Sequence, residues 1–143
     1  MKPVQDIFKK YSVNAEWVDP FMGSGSPAGV TNDIDPKKGA KHSLDALEFM
    51  EMLPDKTFNG VLLDPPYSHH QATMTYKNKR LIKLTPIYKN VKRVLKDNGL
   101  VIHFGWNSNG IGFKNGFEII EVLVIPHGGH HNDTIITVER CLN

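Results

Sequence analysis

The sequence predicts an α/β fold, with a mostly parallel sheet flanked by helices and closed by an antiparallel C-terminal hairpin. Apolar runs alternate with amphipathic stretches of helical spacing, in the order β, β, α, β, α, β after a first helix. Two final apolar runs are joined by the turn-like "PHGGHHN", which is typical of a hairpin. No internal repeat or linker interrupts this order, so we expect one domain over residues 1–143.

The composition is that of a globular protein of ordinary domain size. The chain has 143 residues, 40% of them hydrophobic and 22% charged, with a net charge of +2. This mild basicity is compatible with a polyanionic partner but is not evidence for one. Cys141 is the single cysteine, which excludes an intrachain disulfide. No apolar run is long enough to span a membrane and no signal peptide is visible, so we expect a cytoplasmic protein without membrane contact.

Three segments have the spacing of helices. Residues 3–11 place apolar side chains on one stripe, with Pro3 near the first turn. Residues 43–53 are amphipathic and begin at Ser43, a suitable N-cap. Residues 85–95 carry a third apolar stripe, and the helix is expected to end before Asn98-Gly99.

Six segments read as strands, and the first two lie unusually close together in sequence. The predicted strands are residues 15–19, 28–35, 58–64, 100–106, 117–125 and 133–141. Only residues 20–29 separate Asp19 from Val30, whereas a parallel crossover normally needs a dozen or more residues. Ten extended residues reach roughly 33 Å, and a five-residue strand is about 17 Å long. We therefore expect a parallel second strand with a reduced or missing helix before it, and a sheet face that a second subunit could cover as a homodimer.

Ligands of open α/β sheets bind beyond the carboxyl ends of the strands, so the residues that end strands are the candidate site. "VDPFMGSGSPAG" (18–29) places glycines directly after a strand, where the backbone can pass close to a ligand. A tight loop between strands is the alternative. Asp33 ends the next strand and could accept both hydroxyls of a ribose. Asp45 could meet an adenine amino group or could simply be a carboxylate at a helix start.

"FNGVLLDPPYSHH" (58–70) delivers a carboxylate, a rigid elbow and an aromatic ring to the end of a buried strand. Asp64 and the Pro65 carbonyl are acceptors for the two N–H groups of an exocyclic amine, and Tyr67 is placed to stack on a base. Such bonds would localise the nitrogen lone pair for attack on a methyl group. A base in a duplex would first have to be flipped out of the stack. A strand-terminating Pro-Pro turn is the alternative.

The ordered motifs "DPFMGSG", "NDID", "SLDAL" and "LLDPPYS" resemble the S-adenosylmethionine-dependent amino-methyltransferases, especially the adenine-N(6) DNA methyltransferases. The resemblance covers essentially the whole chain and implies a Rossmann-like class I methyltransferase fold. It implies that the first loop holds the methionine part of the cofactor, Asp33 its ribose and Asp45 its adenine. The residues implied for the cofactor are Asp19, Pro20, Phe21, Gly23, Ser24, Gly25, Asp33 and Asp45, and those for the target base are Asp64, Pro65, Pro66 and Tyr67.

We expect no target-recognition domain within residues 1–143, which is a departure from that family. Two segments could contact nucleic acid in its place, the loop 68–83 and the hairpin turn 126–132. Basic residues and a tyrosine are typical of a phosphate-contacting loop, although a solvated basic loop would look the same. The candidates are Tyr76, Lys77, Lys79, Arg80, His130 and Asn132. Short or relaxed sequence specificity, or specificity through dimerisation, is expected.

Two further groups of residues are candidates for a site, the histidines of the hairpin turn and the pair Trp106 and Asn107. Three of the seven histidines lie in the hairpin turn, but there is no second cysteine and the cluster sits in one turn, so we expect no metal site. Trp106 and Asn107 follow a strand end and could line the pocket, with plain packing equally open for Trp106.

Three functions remain open from the sequence. The first is transfer of a methyl group from S-adenosylmethionine to the 6-amino group of adenine in DNA. The second is the same chemistry on an adenine or guanine amino group in RNA, because related enzymes use similar tetrads. The third is a nucleic-acid-binding module that keeps the fold without the activity, against which the intact sequence from Asp64 to Tyr67 argues.

Overall fold

The computed structural model of the chain describes residues 2–65, 84–105, 108–127 and 133–142. Its helices and strands follow the predicted order. The α-helices are Lys2–Lys10 (α1), Ala46–Glu51 (α2) and Leu84–Val94 (α3), with short 3₁₀ turns at Pro36–Lys38 and Phe113–Asn115. The strands are Trp17–Asp19 (β1), Val30–Thr31 (β2), Phe58–Leu63 (β3), Leu95–Gly105 (β4), Phe117–Ile125 (β5) and Thr134–Cys141 (β6).

The described strands form one sheet in the order β2-β1-β3-β4-β6-β5. The pairs β2-β1, β1-β3 and β3-β4 are parallel, whereas β6 is antiparallel to both β4 and β5. The predicted mostly parallel sheet with an antiparallel C-terminal hairpin is therefore confirmed. Since β5 runs in the same direction as β4, its end lies at the same sheet edge as the carboxyl ends of β1 to β4. That edge carries the strand-ending residues singled out in the sequence.

The short crossover between β1 and β2 contains no helix, as the ten-residue spacing predicts. Residues 20–29 are irregular, and β2 still pairs in parallel with β1 through Val18–Val30 and Asp19–Thr31. Close backbone approach makes this possible at Gly29, where a Cβ would lie 2.0 Å from the carbonyl oxygen of Ala15. Loop 20–29 therefore joins two neighbouring parallel strands directly, and its N–H groups reach the acids that end or follow those strands.

Apolar residues of the two sheet faces form separate cores, because successive strand residues point to opposite faces. One core lies under α2 and α3 and contains Val61, Leu63 and Val101. The other contains Trp17, Leu62 and Ile102, with Ile7 of α1 packed among them. The helix α1 therefore covers part of the face that the missing crossover helix would leave open. Whether a second subunit covers more of that face stays a prediction.

A salt bridge and a phenol contact fasten α1 to the far strand of the sheet. Lys10 Nζ lies 2.7 Å from a carboxylate oxygen of Glu121 on β5, and the Tyr11 hydroxyl donates to the same carboxylate.

On β5, the side chains of Ile119, Val122 and Val124 are exposed. Within the described residues, no helix is both long and apolar enough to cross a membrane.

The structure corrects the predicted bounds in two places that matter for the site. The strand predicted at residues 28–35 is only Val30–Thr31, because the next residues turn their side chains onto neighbouring loops. The predicted Ser43 cap is wrong. Asp45 is the N-cap of α2, and its Oδ2 accepts from the backbone N–H groups of Leu47 at 3.1 Å and Glu48 at 3.5 Å.

Candidate functional site

Three neighbouring parallel strands lead into carboxylates at one edge of the sheet. Asp19 is the last residue of β1, Asp33 lies two residues after β2, and Asp64 follows β3 directly. Because β2, β1 and β3 lie side by side in that order, the three acids share one edge. Asp19 and Asp33 are buried, and Pro65 after Asp64 is buried as well. The strand-ending acids singled out in the sequence therefore lie at one edge, and their roles towards a ligand stay a prediction.

Backbone N–H groups of the glycine-rich loop are turned towards these carboxylates. The N–H of Phe21 donates to Asp19 Oδ1 at 3.0 Å, and that of Gly23 donates to Asp33 Oδ2 at 2.9 Å. Gly23 has a φ of 63°, in the left-handed region that glycine adopts without strain. At Gly25 no atom lies within 4 Å of where a Cβ would be, so the loop leaves open space there.

The predicted cofactor residues divide between the core and the open edge. Phe21 is buried and packs in the core under α2 and α3, so its side chain anchors the loop. Pro20 is buried beside it, whereas Ser24 and Gly25 are exposed. A residue that sequence reasoning missed, Ser26, lies near the Asp19 carboxylate, and its side chain acts to lower the pKa of that group.

A second missed residue is Asn32, which is completely buried between the acids of β1 and β2. Its side-chain Nδ2 donates to the carbonyls of Pro20 at 3.2 Å and Leu44 at 2.9 Å, and its Oδ1 accepts from Leu44 N at 2.9 Å. Its backbone bonds Asp19 and Met22. The signal available in the sequence was a polar residue directly after an apolar run, which alone does not identify its partners.

Asp33 and Asp45 both have structural partners in addition to any role towards a ligand. Asp33 Oδ1 accepts from the backbone N–H of Asp35 at 2.9 Å, and its other oxygen is bonded to the glycine-rich loop. Asp45 caps α2 through Oδ2. Carboxylate oxygens accept more than one hydrogen bond, so these bonds fix the orientation of each group and leave acceptor capacity.

Burial dominates the electrostatics of the edge. Desolvation, strengthened by the nearby charges of Asp64 and Asp33, raises the pKa of Asp19 to about 7, although bonds from Ser26 and Phe21 act in the opposite direction. Neither Asp19 nor Asp33 forms an ion pair with a lysine or arginine of the described residues. A cation bound at this edge would offset the desolvation of the Asp19 carboxylate. In residues 2–65, 84–105, 108–127 and 133–142, no group of three His, Cys, Asp or Glu is arranged to hold a metal.

A buried histidine lies one strand away from the Asp64–Pro65 segment. His103 of β4 pairs in register with Leu63, the residue before Asp64, and its Nε2 lies 3.2 Å from the hydroxyl of Tyr88 on α3. Burial lowers the pKa of His103 to about 4, so the ring is neutral near pH 7. The pair connects α3 to the strand beside the candidate base-binding segment.

Several predicted site residues lie outside the described part of the chain. These are Pro66, Tyr67, Tyr76, Lys77, Lys79, Arg80, Trp106, Asn107, His130 and Asn132. The flanks of the hairpin turn are described, and His127 Nε2 lies 2.6 Å from Thr134 Oγ1. This contact joins the end of β5 to the start of β6, and β5 ends at the same sheet edge as the parallel strands that lead to Asp19 and Asp64.

Comparisons with known proteins give a fold and no family. No protein-family model matches the chain, and no curated protein matches its sequence. Solved structures do match. TrmN from Thermus thermophilus has a TM-score of 0.64 and 16% identity over 96% of this chain, which spans only 48% of that protein. N-methyltransferase NodS from Bradyrhizobium japonicum WM9 has a TM-score of 0.67 and 9% identity, over 99% of this chain and 96% of NodS.

A third match contains a bound ligand. It is 1,6-didemethyltoxoflavin-N1-methyltransferase from Burkholderia thailandensis, with S-adenosylhomocysteine in its structure, a TM-score of 0.66 and 12% identity. The match covers 99% of this chain and 77% of that protein. The chain therefore has the Rossmann-like fold of class I methyltransferases, and the expectation for its fold is confirmed.

The raised pKa of Asp19 predicts a stability difference that depends on pH. A carboxyl whose folded pKa lies above its unfolded value of 3.8 stabilises the fold when protonated, and this contribution is lost as pH rises through about 7. Asp19→Asn keeps the shape without the titration. In urea unfolding, the free energy of unfolding of the wild type should fall relative to that of Asp19→Asn from about pH 4 to about pH 7, and the difference should stay constant above that.

His103 acts in the opposite direction in the same experiment. Its folded pKa of about 4 lies below the ordinary 6.5, so its contribution is present above pH 6.5 and lost as pH falls through 4. This contribution is common to both proteins and cancels in the difference between them. If the difference between the free energies of unfolding of the wild type and Asp19→Asn is the same from pH 4 to pH 8, the raised pKa of Asp19 is refuted.

Proposed function

We propose that the protein is an S-adenosylmethionine-dependent amino-methyltransferase that methylates the 6-amino group of adenine in DNA. The observation that carries the proposal is the position of Asp64 and Pro65. They follow β3, the strand directly beside β1, on the same sheet edge as Asp19 and the glycine-rich loop. A cofactor over β1 and β2 and an amine held at the end of β3 would therefore be neighbours.

The edge at β1 and β2 fits the cofactor in charge and shape. S-adenosylmethionine carries a sulfonium and an ammonium group, and the buried carboxylates of Asp19 and Asp33 form no ion pair with the described basic residues. Open space at Gly25 and the left-handed backbone of Gly23 allow close approach of a ligand to the loop. Asp33 would accept the ribose hydroxyls and Asp45 the adenine amino group, as the sequence resemblance implies.

The residues after β3 would prepare the amine for reaction. The cofactor, when bound, supplies a methyl group on a positively charged sulfur, which becomes a neutral thioether when that C–S bond breaks. The Asp64 carboxylate and the Pro65 carbonyl would accept the two N–H groups of the amine and so direct its lone pair outwards. The new N–C bond forms from that lone pair, and one amine proton then leaves to the carboxylate or to solvent.

The substrate side of the proposal rests on the sequence. Tyr67 would stack on the flipped base, and Tyr76, Lys77, Lys79 and Arg80 would contact phosphates. His130 and Asn132 would add polar contacts to the nucleic acid, as the sequence predicts. The same arrangement would accept an adenine or guanine amino group in RNA, so the choice of nucleic acid belongs in the test.

Methyl transfer from labelled S-adenosylmethionine to duplex DNA, single-stranded DNA and RNA tests the activity, with nucleoside analysis of the product. We expect label in N6-methyladenine of DNA. Asp64→Ala should reduce transfer by roughly 10²-fold or more while the cofactor still binds, because the proposed role of Asp64 is to accept a hydrogen bond from the amine.

Asp6→Ala is the matched control for that variant. Asp6 is exposed on α1 and pairs with Lys2, so its loss should leave transfer unchanged. Label in an RNA nucleoside would replace the DNA assignment with the RNA one. Full activity of Asp64→Ala would exclude the proposed mechanism, and cofactor binding without transfer to any nucleic acid would favour a binding module.

The basic loop should contribute to nucleic-acid affinity. Replacing Lys79 and Arg80 by Ala should weaken binding and reduce the slope of log K against log salt by about 2 for duplex DNA, since each phosphate contact contributes about 0.9. Fluorescence anisotropy of a labelled duplex over a range of salt concentrations measures both quantities.

Two exposed lysines elsewhere provide the control, Lys9 on α1 and Lys96 near the start of β4. Their double alanine variant removes the same total charge and should change binding much less. Equal effects of the two double variants would show that only net charge matters and would remove the loop from substrate recognition.

A further inference from the structure

The amide of Asn32 has every hydrogen-bonding group of its side chain in use at a fully buried position. Both donors of Nδ2 are directed at main-chain carbonyls, those of Pro20 and Leu44, and Oδ1 accepts from Leu44 N. The backbone of Asn32 adds two more bonds, with its N–H donating to the Asp19 carbonyl at 2.9 Å and its carbonyl accepting from Met22 N at 2.8 Å. One residue therefore joins three chain segments.

Those three segments are the ones that present the candidate cofactor carboxylates. The backbone carbonyl of Asp19 accepts from the N–H of Asn32, and Asp33 follows Asn32 in the sequence. Asp45 directly follows Leu44, whose N–H and carbonyl are both bonded to the Asn32 amide. Each carboxylate thus lies within one residue of a group held by Asn32. By contrast, Asp64 and Pro65 follow β3 and share none of the hydrogen bonds described for Asn32.

We propose that Asn32 is a positioning residue for the cofactor, which sets the spacing between the glycine-rich loop, Asp33 and Asp45. The identity of the ligand rests on the proposed function. Asn32 itself acts through the backbone and does not need to touch the ligand.

Only an amide satisfies this position. A carboxylate in its place has no hydrogen to donate, so its oxygens would face the Pro20 and Leu44 carbonyls and would add a charge beside Asp19 and Asp33. A hydroxyl is shorter and can replace at most part of the three bonds. Buried groups left without a partner are costly, so the loops would shift to find new partners. The distances between the carboxylates would change with them.

The test measures Asn32→Ser, which adds no charge, and Asn32→Asp, which keeps the size. Both are first checked for folding by circular dichroism and thermal melting. Calorimetry with S-adenosylmethionine and S-adenosylhomocysteine then gives Kd, and labelled methyl transfer gives kcat and KM. We expect Kd and KM for the cofactor to rise by about tenfold or more, with the larger effect in Asn32→Asp, and kcat to stay within a few-fold of wild type.

Thr137→Val is the matched control. Thr137 is equally buried in the same sheet, on β6, and its hydroxyl has no hydrogen-bond partner among the described residues. This variant should keep the wild-type KM for the cofactor.

Each other outcome has a definite meaning. Folded Asn32 variants with unchanged Kd and KM, or with a reduced kcat at unchanged KM, overturn the positioning role. Failure of both variants to fold also overturns it, because it would make Asn32 a residue of the fold alone. Wild-type protein that binds neither S-adenosylmethionine nor S-adenosylhomocysteine overturns the proposed function instead.

Discussion

The absence of a helix between the first two strands determines how the rest of the site is held. In its place, loop 20–29 is fixed to the sheet by hydrogen bonds to the residues that end β2, chiefly Asn32 and Asp33. The N–H groups of Phe21 and Gly23 therefore donate to side chains at this edge of the sheet. Hydrogen bonds hold the loop in place without a packed crossover helix. This explains how ten residues can replace a crossover and still present a glycine-rich loop at the carboxyl ends of parallel strands.

The cost of the arrangement is electrostatic. Burial of the Asp19 carboxylate, with smaller contributions from the charges of Asp64 and Asp33, raises the pKa of Asp19 to about 7. Stability alone would be better served by neutral residues, so the perturbed acid is typical of a site that binds or reacts. A cationic ligand would offset both the desolvation and the repulsion. Asp64 and Pro65 follow the neighbouring strand β3 at the same edge. A second ligand held by them would therefore lie beside the cationic ligand.

The sequence predicted much of this fold because its signals are local. Apolar periodicity identified the helices and strands, and the acids at strand ends identified Asp19, Asp33 and Asp64 as neighbours. The contacts of Asn32 could not be predicted, because its amide bonds Leu44, which is twelve residues away, and any polar residue after a strand could turn towards solvent. The same ambiguity between adjacent polar residues led to Ser43, and not Asp45, as the predicted cap of α2.

Calorimetric titration with S-adenosylmethionine near pH 7, in buffers of different ionisation enthalpy, tests most directly whether this edge binds a cationic nucleoside cofactor. A cation beside Asp19 should favour its ionised form, so binding should release a fraction of a proton to the buffer, and Asp19→Asn should abolish that release. S-adenosylhomocysteine, without the sulfonium charge, should release less. Tight binding with no proton release in the wild type would contradict a role for Asp19 beside the cationic group, and no binding would contradict the cofactor site itself.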